Sequence, residues 1–589
     1  MRKKIHHWIA GVILGVLGGL FHMGVMVFLQ GVDVLADMGG LPLHVALSGL
    51  MGFTFGVLFG ESSRYTAESL MNGLTYGFFG WVIVALNLVP ILLGKGPQWQ
   101  VTAVSKTFPH LLGYLLQGSV IGFGYPLLYQ AITRKILPIQ IETPTPPPIR
   151  YRIVILGGGF AGVTTGRHLE RKFARDEDVS ITLISKDNSL LFTPMLSEVT
   201  ASGIEARHIS TPLRSFFNRV RVIRAEATSV DLEKRVVHIA SDIHLPLPEV
   251  PFDHLVLAVG AETNFYGMKN VEEEAFTFRT LEDALVLRNH VIDMLERADA
   301  EPDPIRRRAL LTFVVIGGGF SGAELIGGLN DFVRGSLWYY QNIDPEELRM
   351  ILVHSGERIL PELGPELGDY ALEKLVVRGV AFKLRARATD AVPRVVVLNT
   401  GEEIKTDTLV WTTGNRPPRI LQKMGLDVDR RGWVTVDPML AVPNHPGVWA
   451  LGDCSSILDE DTGRPYPQTA QHALREATTL AHNITVAIRG GMPKKFRHRS
   501  MGSFAVLGYQ TAAAQIGRLK FSGFFAWWLW RTVYLLKLPS LEKKIRVATD
   551  WTVDLFFPRD IVQTRTTARK RRSEPVSEKD PEERVHAVR

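Results

Sequence analysis

One pattern restricts this chain more than any other: a short β-branched run that passes directly into Gly-x-Gly-x-x-Gly and then into a helix-forming segment, written twice. The first copy is Arg152–Leu156, then Gly157-Gly158-Gly159-Phe160-Ala161-Gly162, then a helical stretch to about Phe173. The second, about 160 residues later, is Leu311–Ile316, then Gly317-Gly318-Gly319-Phe320-Ser321-Gly322 and a helix through Glu324. In such a unit the first glycine permits a tight turn and the second lets the backbone approach a pyrophosphate. The third lets helix and strand pack, and the helix N-terminus offers unpaired N–H groups to the phosphates. Gly157, Gly159 and Gly162, with Phe160 and Ala161, are therefore candidate cofactor contacts, as are Gly317, Gly319 and Gly322. A single glycine motif is weak evidence. Two complete strand–turn–helix units imply two dinucleotides in one chain.

Each unit departs from the pattern at one place. An acidic residue normally ends the second strand and takes the ribose hydroxyls. After the first unit that strand is Ser180–Ser185, and its end is Ser185, with Asp187 two residues on. After the second unit the strand is Arg349–Val353, followed by His354-Ser355-Gly356 and then Arg358. A carboxylate there would favour the free 2′-hydroxyl of NADH. His354 does not repel a 2′-phosphate, so NADH and NADPH both stay open.

The rest of the chain must explain where the apolar residues go. Hydrophobic residues make up 46% of the 589 and charged residues 22%, but the apolar ones crowd the front. Four stretches, Trp8–Leu29, Leu41–Gly60, Leu70–Leu93 and His110–Ala131, each approach the roughly 20 residues that span a bilayer as a helix. A signal peptide is the alternative for the first, given Arg2-Lys3-Lys4. Its apolar run is too long, and three more runs follow. Those basic residues favour a cytoplasmic N-terminus, and four spans return the chain to the same side, where Arg134 and Lys135 follow. Asp33 and Asp37 suit an outside loop, Arg64 sits between Glu61 and Glu68 in the second loop, and Lys95 and Lys106 fit an outside loop poorly. Gly11, Gly15 and Gly19 share a face, as do Gly52, Gly56 and Gly60, then Gly73 and Gly77, then Gly118 and Gly122, a spacing that lets helix backbones approach in lipid. His22, His44 and His110 are expected in the outer half, with packing preferred to haem ligation. Thr143–Pro148 reads as a stiff polyproline linker. The net charge of +7 suits an anionic membrane face or dinucleotide phosphates. The single cysteine, Cys454, excludes an intramolecular disulfide or a cysteine-pair redox centre.

In combination these features make the segment Tyr151–Asp560, about two-thirds of the chain, resemble the type II NADH:quinone dehydrogenases. Phe192-Thr193-Pro194-Met195-Leu196 with Gly203 looks like the segment that runs past the flavin ring, which assigns Thr193 and Pro194 to the cofactor. Asp253–Gly260 resembles the strand and turn closing the first half of an FAD domain, with Val259 where threonine is usual. Val448–Asp453 ends a strand in Gly452-Asp453, and the resemblance implies that Asp453 holds the ribityl chain. Gly414 is a further implied cofactor contact. Glu324 matches an acidic residue that the resemblance places near flavin and nicotinamide; a carboxylate in a first helical turn is also stabilised by the dipole alone. Ala470-Gln471-His472-Ala473-Leu474-Arg475 matches the family's A-Q-x-A-x-Q quinone motif except at Arg475, so Ala470 and Gln471 are site candidates. His472 reads as an ordinary helix residue. The segment Gly517–Phe557, with Phe524–Arg531, Leu535–Leu538 and Trp551, suits the lipid headgroup layer; a soluble dimer interface would be about as apolar.

The expected fold class is α/β, two Rossmann-type dinucleotide-binding domains of a two-dinucleotide flavoprotein, plus an N-terminal α-helical transmembrane bundle. The expected domains are the four-helix bundle (1–135), a linker (136–150), the first part of an FAD domain (151–305), an NAD(P)H domain (306–418), the second part of the FAD domain (419–500), a membrane-associating region (501–560) and a charged tail (561–589) with a basic cluster at Arg569–Arg572. The resemblance implies electron transfer from NADH or NADPH through FAD to a membrane quinone without proton pumping, with Glu324 and Gln471 as positioning residues and no metal. The lipid bilayer is the expected partner and a homodimer is compatible; no nucleic acid is expected. The expected location is the cell (inner) membrane, multi-pass, with the flavoprotein part in the cytoplasm. Sulfide:quinone oxidoreductases and disulfide reductases need cysteine pairs and drop out. Two alternatives stay open: a reductase feeding a protein carrier or haem, and a redox sensor of the nicotinamide pool.

Overall fold

The computed structural model describes residues 2–31, 40–60, 63, 66–92, 94, 96–136, 148–240, 249–498 and 502–564. Asp33, Asp37, Glu61, Arg64, Lys95, most of the proline run and the basic cluster Arg569–Arg572 lie outside them. The chain divides into two compact units, one before and one after about residue 145.

The first unit is helical: α1 (Arg2–Gln30), α2 (Gly40–Phe59), α3 (Thr66–Gly80) and α4 (Phe108–Ile136). Among the described residues four helices are long and apolar enough to cross a membrane, the third running on to Leu92. The glycines work as their spacing implies. A Cβ at Gly11 would strike the Gly52 carbonyl, and one at Gly73 would strike the Gly118 carbonyl. So α1 packs on α2 and α3 on α4, while α1 also packs on α4. The third span is not a uniform α-helix, because Trp81–Leu88 adopts a π-helix. Pro90 has no N–H to give the Leu86 carbonyl, and that carbonyl instead accepts from the Gln98 N–H at 2.8 Å. The three histidines converge: the His22 ring centroid lies 5.2 Å from His44 and 6.3 Å from His110. His22 Nδ1 meets Gln117 Oε1 at 3.2 Å, and His44 Nε2 meets the Gly19 carbonyl at 2.9 Å.

The second unit is built on two parallel sheets. The chain enters the first with β1 (Tyr151–Leu156), α5 (Phe160–Lys172), β2 (Val179–Ser185), β3 (Arg221–Arg224) and β4 (His254–Leu257). It then makes the second sheet from β5 (Phe276–Thr277), β6 (Thr312–Ile316), β7 (Arg349–His354), β8 (Val380–Leu384) and β9 (Thr408–Trp411), with helices α6 (Leu281–Ala300) and α7 (Phe320–Ser336). It returns to the first sheet with β10 (Val448–Ala450), followed by α8 (Ala470–Arg489). The orders are β10-β4-β1-β2-β3 and β5-β9-β6-β7-β8. In each, the glycine-bearing strand lies where the order reverses, the crevice in which open α/β sheets hold ligands. Register is continuous: Ile155 faces Leu183 and Val256, and Val315 faces Leu352 and Val410.

Two features extend the expected domain plan. Phe276–Thr277 pairs with β9, and α6 buries Leu287, Val291 and Leu295 in the core of the second sheet. The second module therefore draws on residues ahead of 305. Residues after 501 form an antiparallel sheet, β11 (Gly502–Val506), β12 (Ala512–Ile516) and β13 (Leu519–Ser522), then helices α9 (Gly523–Lys537) and α10 (Leu541–Phe556). They bury Trp527, Trp530 and Trp551 with Phe192, Met195 and Leu196.

Candidate functional site

The two glycine turns are near copies. Gly157 and Gly317 sit at φ +113° and +120°, which L side chains rarely adopt. Their N–H groups donate to the Ile184 and Val353 carbonyls at 2.8 and 2.9 Å. A Cβ on Gly162 or Gly322 would be driven into the Gly157 or Gly317 carbonyl. A Cβ on Gly159 would meet nothing within 4 Å, and one on Gly319 only the Glu362 carboxylate at 3.9 Å. Each turn thus leaves open space before a helix N-terminus, the cradle that a pyrophosphate needs.

The middle glycine of each turn answers the missing acid. A Cβ on Gly158 would stand 2.5 Å from Ser185 Oγ, and one on Gly318 2.6 Å from His354 Cγ. Ser185 and His354, at the strand ends where acids are usual, fold back against the glycine loops. His354 Nδ1 accepts the Gly318 N–H at 3.1 Å. Burial holds its pKa below the ordinary histidine value. Asp187 is exposed.

Around the first cradle the candidate residues come together. Gly452, at φ +72°, brings the end of β10 against Ala161. Gly260, at φ +71°, follows β4 and has no neighbour where a Cβ would stand. Thr193 and Pro194 form a 3₁₀ turn beside Phe192, whose ring lies 5.9 Å from that of Phe160. Asp453 is partly buried, which raises its pKa, while Arg279 at 3.9 Å opposes the shift. Gln468 Nε2 donates to the Asp453 carbonyl at 2.9 Å. Glu476 accepts the Gly452 N–H at 2.7 Å, and burial pushes its carboxyl up to about 7. Ala470 and Gln471 open α8, capped by Thr469. His472 is buried against Tyr466 and His498. Arg475 is exposed, and its charge helps lower the pKa of His498 and Lys537 after burial has done most of it. Cys454 is buried, its thiol pushed up to about 12 by burial, so it is no thiolate nucleophile. These residues fit an FAD, with backbone N–H groups for its pyrophosphate and Asp453 beside the α8 N-terminus.

Around the second cradle, Gly414 at φ +80° packs against Tyr266 and Asn264. Glu324 reaches the C-terminal segment. Its carboxylate accepts the Val506 N–H of β11 at 3.2 Å, in a pocket shared with Glu198, Trp527, Arg531 and Arg559. Burial pushes its pKa up to about 8, with Glu198 adding and the Val506 N–H opposing. Arg531 lies between the Trp527 and Trp551 rings, 4.1 and 4.6 Å from their centroids, and Trp551 Nε1 donates to Glu198 at 2.7 Å. The Tyr534 ring lies 6.0 Å from that of Phe192, and its hydroxyl feels the Glu324 charge.

Sequence reasoning missed Arg279, Gln468, Glu476, Glu198 and Arg531. Arg279 and Glu198 meet partners far along the chain, Gln468 and Glu476 reach back 15 and 24 residues, and Arg531 stacks on Trp527 within its own helix but needs Trp551 to complete the sandwich. Among the described residues no cluster of His, Cys, Asp and Glu is placed to hold a metal ion.

Comparison with known proteins gives a consistent result. The family model for pyridine nucleotide-disulphide oxidoreductases matches residues 151–477, and that for the NDH2 C-terminal domain matches residues 500–560. The chain is 31% identical over 435 residues to the type II NADH:quinone oxidoreductase Ndh of Mycobacterium tuberculosis, covering 71% of this chain and 91% of that protein. It is 32% identical over 418 residues to a probable NADH dehydrogenase of Dictyostelium discoideum, covering 70% and 90%. Among solved structures, NDH2 of Plasmodium falciparum in complex with NADH superposes with a TM-score of 0.66 at 19% identity, covering 70% of this chain and 99% of that one.

Proposed function

The chain belongs to the type II NADH:quinone oxidoreductases, within the pyridine nucleotide-disulphide oxidoreductase family, and from that premise we propose that it binds FAD in the first cradle, takes electrons from NADH or NADPH at the second, and reduces a membrane quinone without pumping protons. One observation carries the acceptor side. The C-terminal helices bury Trp527, Trp530 and Trp551 yet leave Phe524, Phe525, Trp528, Leu536 and Phe556 at least half exposed. An aromatic face of that kind suits the lipid headgroup layer and would admit a quinone from it.

When bound, FAD supplies the hydride acceptor and passes two electrons onward. The chain's own residues position and insulate. The α5 and α7 N-termini hold pyrophosphates. The α8 N-terminus, opened by Ala470 and Gln471, lends its positive end to negative charge on the flavin. Glu324, neutral below about pH 8, can donate a hydrogen bond or a proton where an ionised carboxylate could not. Arg475 puts a fixed positive charge where the family motif has glutamine. In this reading the first unit crosses the bilayer four times and the second lies on the cytoplasmic side.

Anaerobic stopped-flow on the full-length, flavin-loaded protein tests this. NADH or NADPH should bleach the flavin, and a short-chain quinone should then restore its colour. Bleaching without reoxidation by quinone would remove the quinone from the proposal.

A further inference from the structure

NADH and NADPH differ at one place, the adenosine 2′ position: a hydroxyl in one, a phosphate carrying negative charge in the other. A carboxylate at the end of the second strand selects the hydroxyl, and an arginine nearby accommodates the phosphate. In this chain the selector position is His354, and its ring is already engaged. Nδ1 accepts from the Gly318 N–H at 3.1 Å, so that nitrogen carries no proton. The backbone of Arg358 also acts on the ring, opposing the effect of burial. Cβ atoms at Gly318 and Gly356 would stand 2.6 and 2.7 Å from its atoms. The imidazole is a strut wedged between two loops, and it is no carboxylate.

Two guanidinium groups stand by the Gly356 loop, Arg358 within it and Arg385 just after β8. Arg358 pairs through Nε with Asp369 at 3.1 Å. Arg385, whose backbone N–H donates to the Gly356 carbonyl at 3.0 Å, pairs with Glu357 at 2.9 Å. Both pairs are more than half exposed, so each is worth little and exchanges readily for a better anion. The nearby acids do not restore the missing selector. Glu357 and Asp369 are already held by these arginines, and Glu362, in the turn after the Gly356 loop, reaches toward Gly319 and favours the charged form of His354 rather than ending the strand as a carboxylate. Arginine meets a phosphate with paired, charge-assisted hydrogen bonds, which a single surface carboxylate does not match.

We infer that the second cradle accepts a 2′-phosphate on the adenosine ribose, with Arg358 and Arg385 as its counter-charges and His354 as a positioning strut. NADPH is then a donor alongside NADH. The inference rests on the second cradle being the nicotinamide dinucleotide site, and the test keeps the two apart.

Calorimetric binding of 2′,5′-ADP and 5′-AMP to the full-length, flavin-loaded protein reads the phosphate site without redox chemistry. We expect 2′,5′-ADP to bind about tenfold more tightly, a preference that weakens as salt is raised. Arg358→Ala with Arg385→Ala should erase the preference while leaving 5′-AMP affinity in place, since both side chains are exposed. His354→Glu should invert it. Equal or weaker binding of 2′,5′-ADP overturns the inference, whatever the donor assay gives. A clear preference for 2′,5′-ADP in a protein whose flavin neither NADH nor NADPH bleaches would overturn the dehydrogenase reading and leave the phosphate site standing.

Discussion

Glu324 shows how much one desolvated carboxyl can impose. Its folded pKa of about 8 stands above the ordinary 4.5, so the folded protein keeps a proton that the unfolded chain releases. The stability tied to the neutral carboxyl is fully present below about pH 4.5 and is lost as pH rises through 8. Urea unfolding across that window should show the wild type weakening as pH rises, and Glu324→Gln should weaken less. Glu476, raised to about 7, adds a second fall in the same range, so the difference between the two proteins is the readout. Identical slopes would put the titration elsewhere. The sequence marked Glu324 by its place after a glycine motif, but not its partner: Val506 is 182 residues away. His354 and Ser185 follow the same logic. Both were legible as missing acids. That each fills the space over a middle glycine was not, because the loop and the strand end meet only in the fold.

At the scale of elements, α9 and α10 divide their aromatics between two jobs. Period and composition revealed an apolar, basic segment. They could not say which rings face inward, because both faces carry tryptophan or phenylalanine. The fold decides it through β11–β13, which the sequence reading did not foresee and against which Trp527 and Trp530 pack. Two substitutions separate the jobs. Trp551→Ala removes a buried ring, its hydrogen bond to Glu198 and one side of the Arg531 sandwich, and should cost about 3–5 kcal/mol in chemical denaturation. Trp528→Asp alters a half-exposed ring and should change stability by no more than about 0.5 kcal/mol. It should nevertheless weaken binding of the second unit to anionic vesicles by about tenfold, the loss of one ring's burial. If Trp528→Asp left vesicle binding intact, the exposed face would need another partner. The strands and helices of the two cradles were readable in order, since each needs only a β-branched run, three glycines and an amphipathic stretch. The π-helix at Trp81–Leu88 was not, because nothing in an apolar run sets its hydrogen-bond spacing apart from an α-helix, and the Gln98 N–H meets the carbonyl that Pro90 leaves free only in the fold.

At the scale of the molecule, the break near residue 145 follows from composition, because lipid-length apolar helices and a charged α/β body demand different solvents. What composition could not show is how self-contained each side is. In the first unit the glycine faces are spent inside it, Gly11 on Gly52 and Gly73 on Gly118. In the second, the two sheets and the C-terminal helices each have a buried cluster, bridged by Phe160 between the first and third and by Phe278 between the second and third. The family matches run only from residue 151 to 560. The M. tuberculosis relative is 91% covered by 71% of this chain, which leaves it almost no length for a counterpart of the first unit. A protein lacking residues 1–148 should therefore fold, retain flavin and reduce a water-soluble quinone at a rate within roughly twofold of the full chain, as a domain with its own core would. Its hold on vesicles should become reversible and salt-sensitive, resting on α9 and α10 alone. Flavin content and turnover, measured on both proteins in the same detergent, decide the matter. Retained flavin with lost quinone turnover would make the first unit part of the electron path, and its cluster of His22, His44 and His110 would be the first place to look for the acceptor.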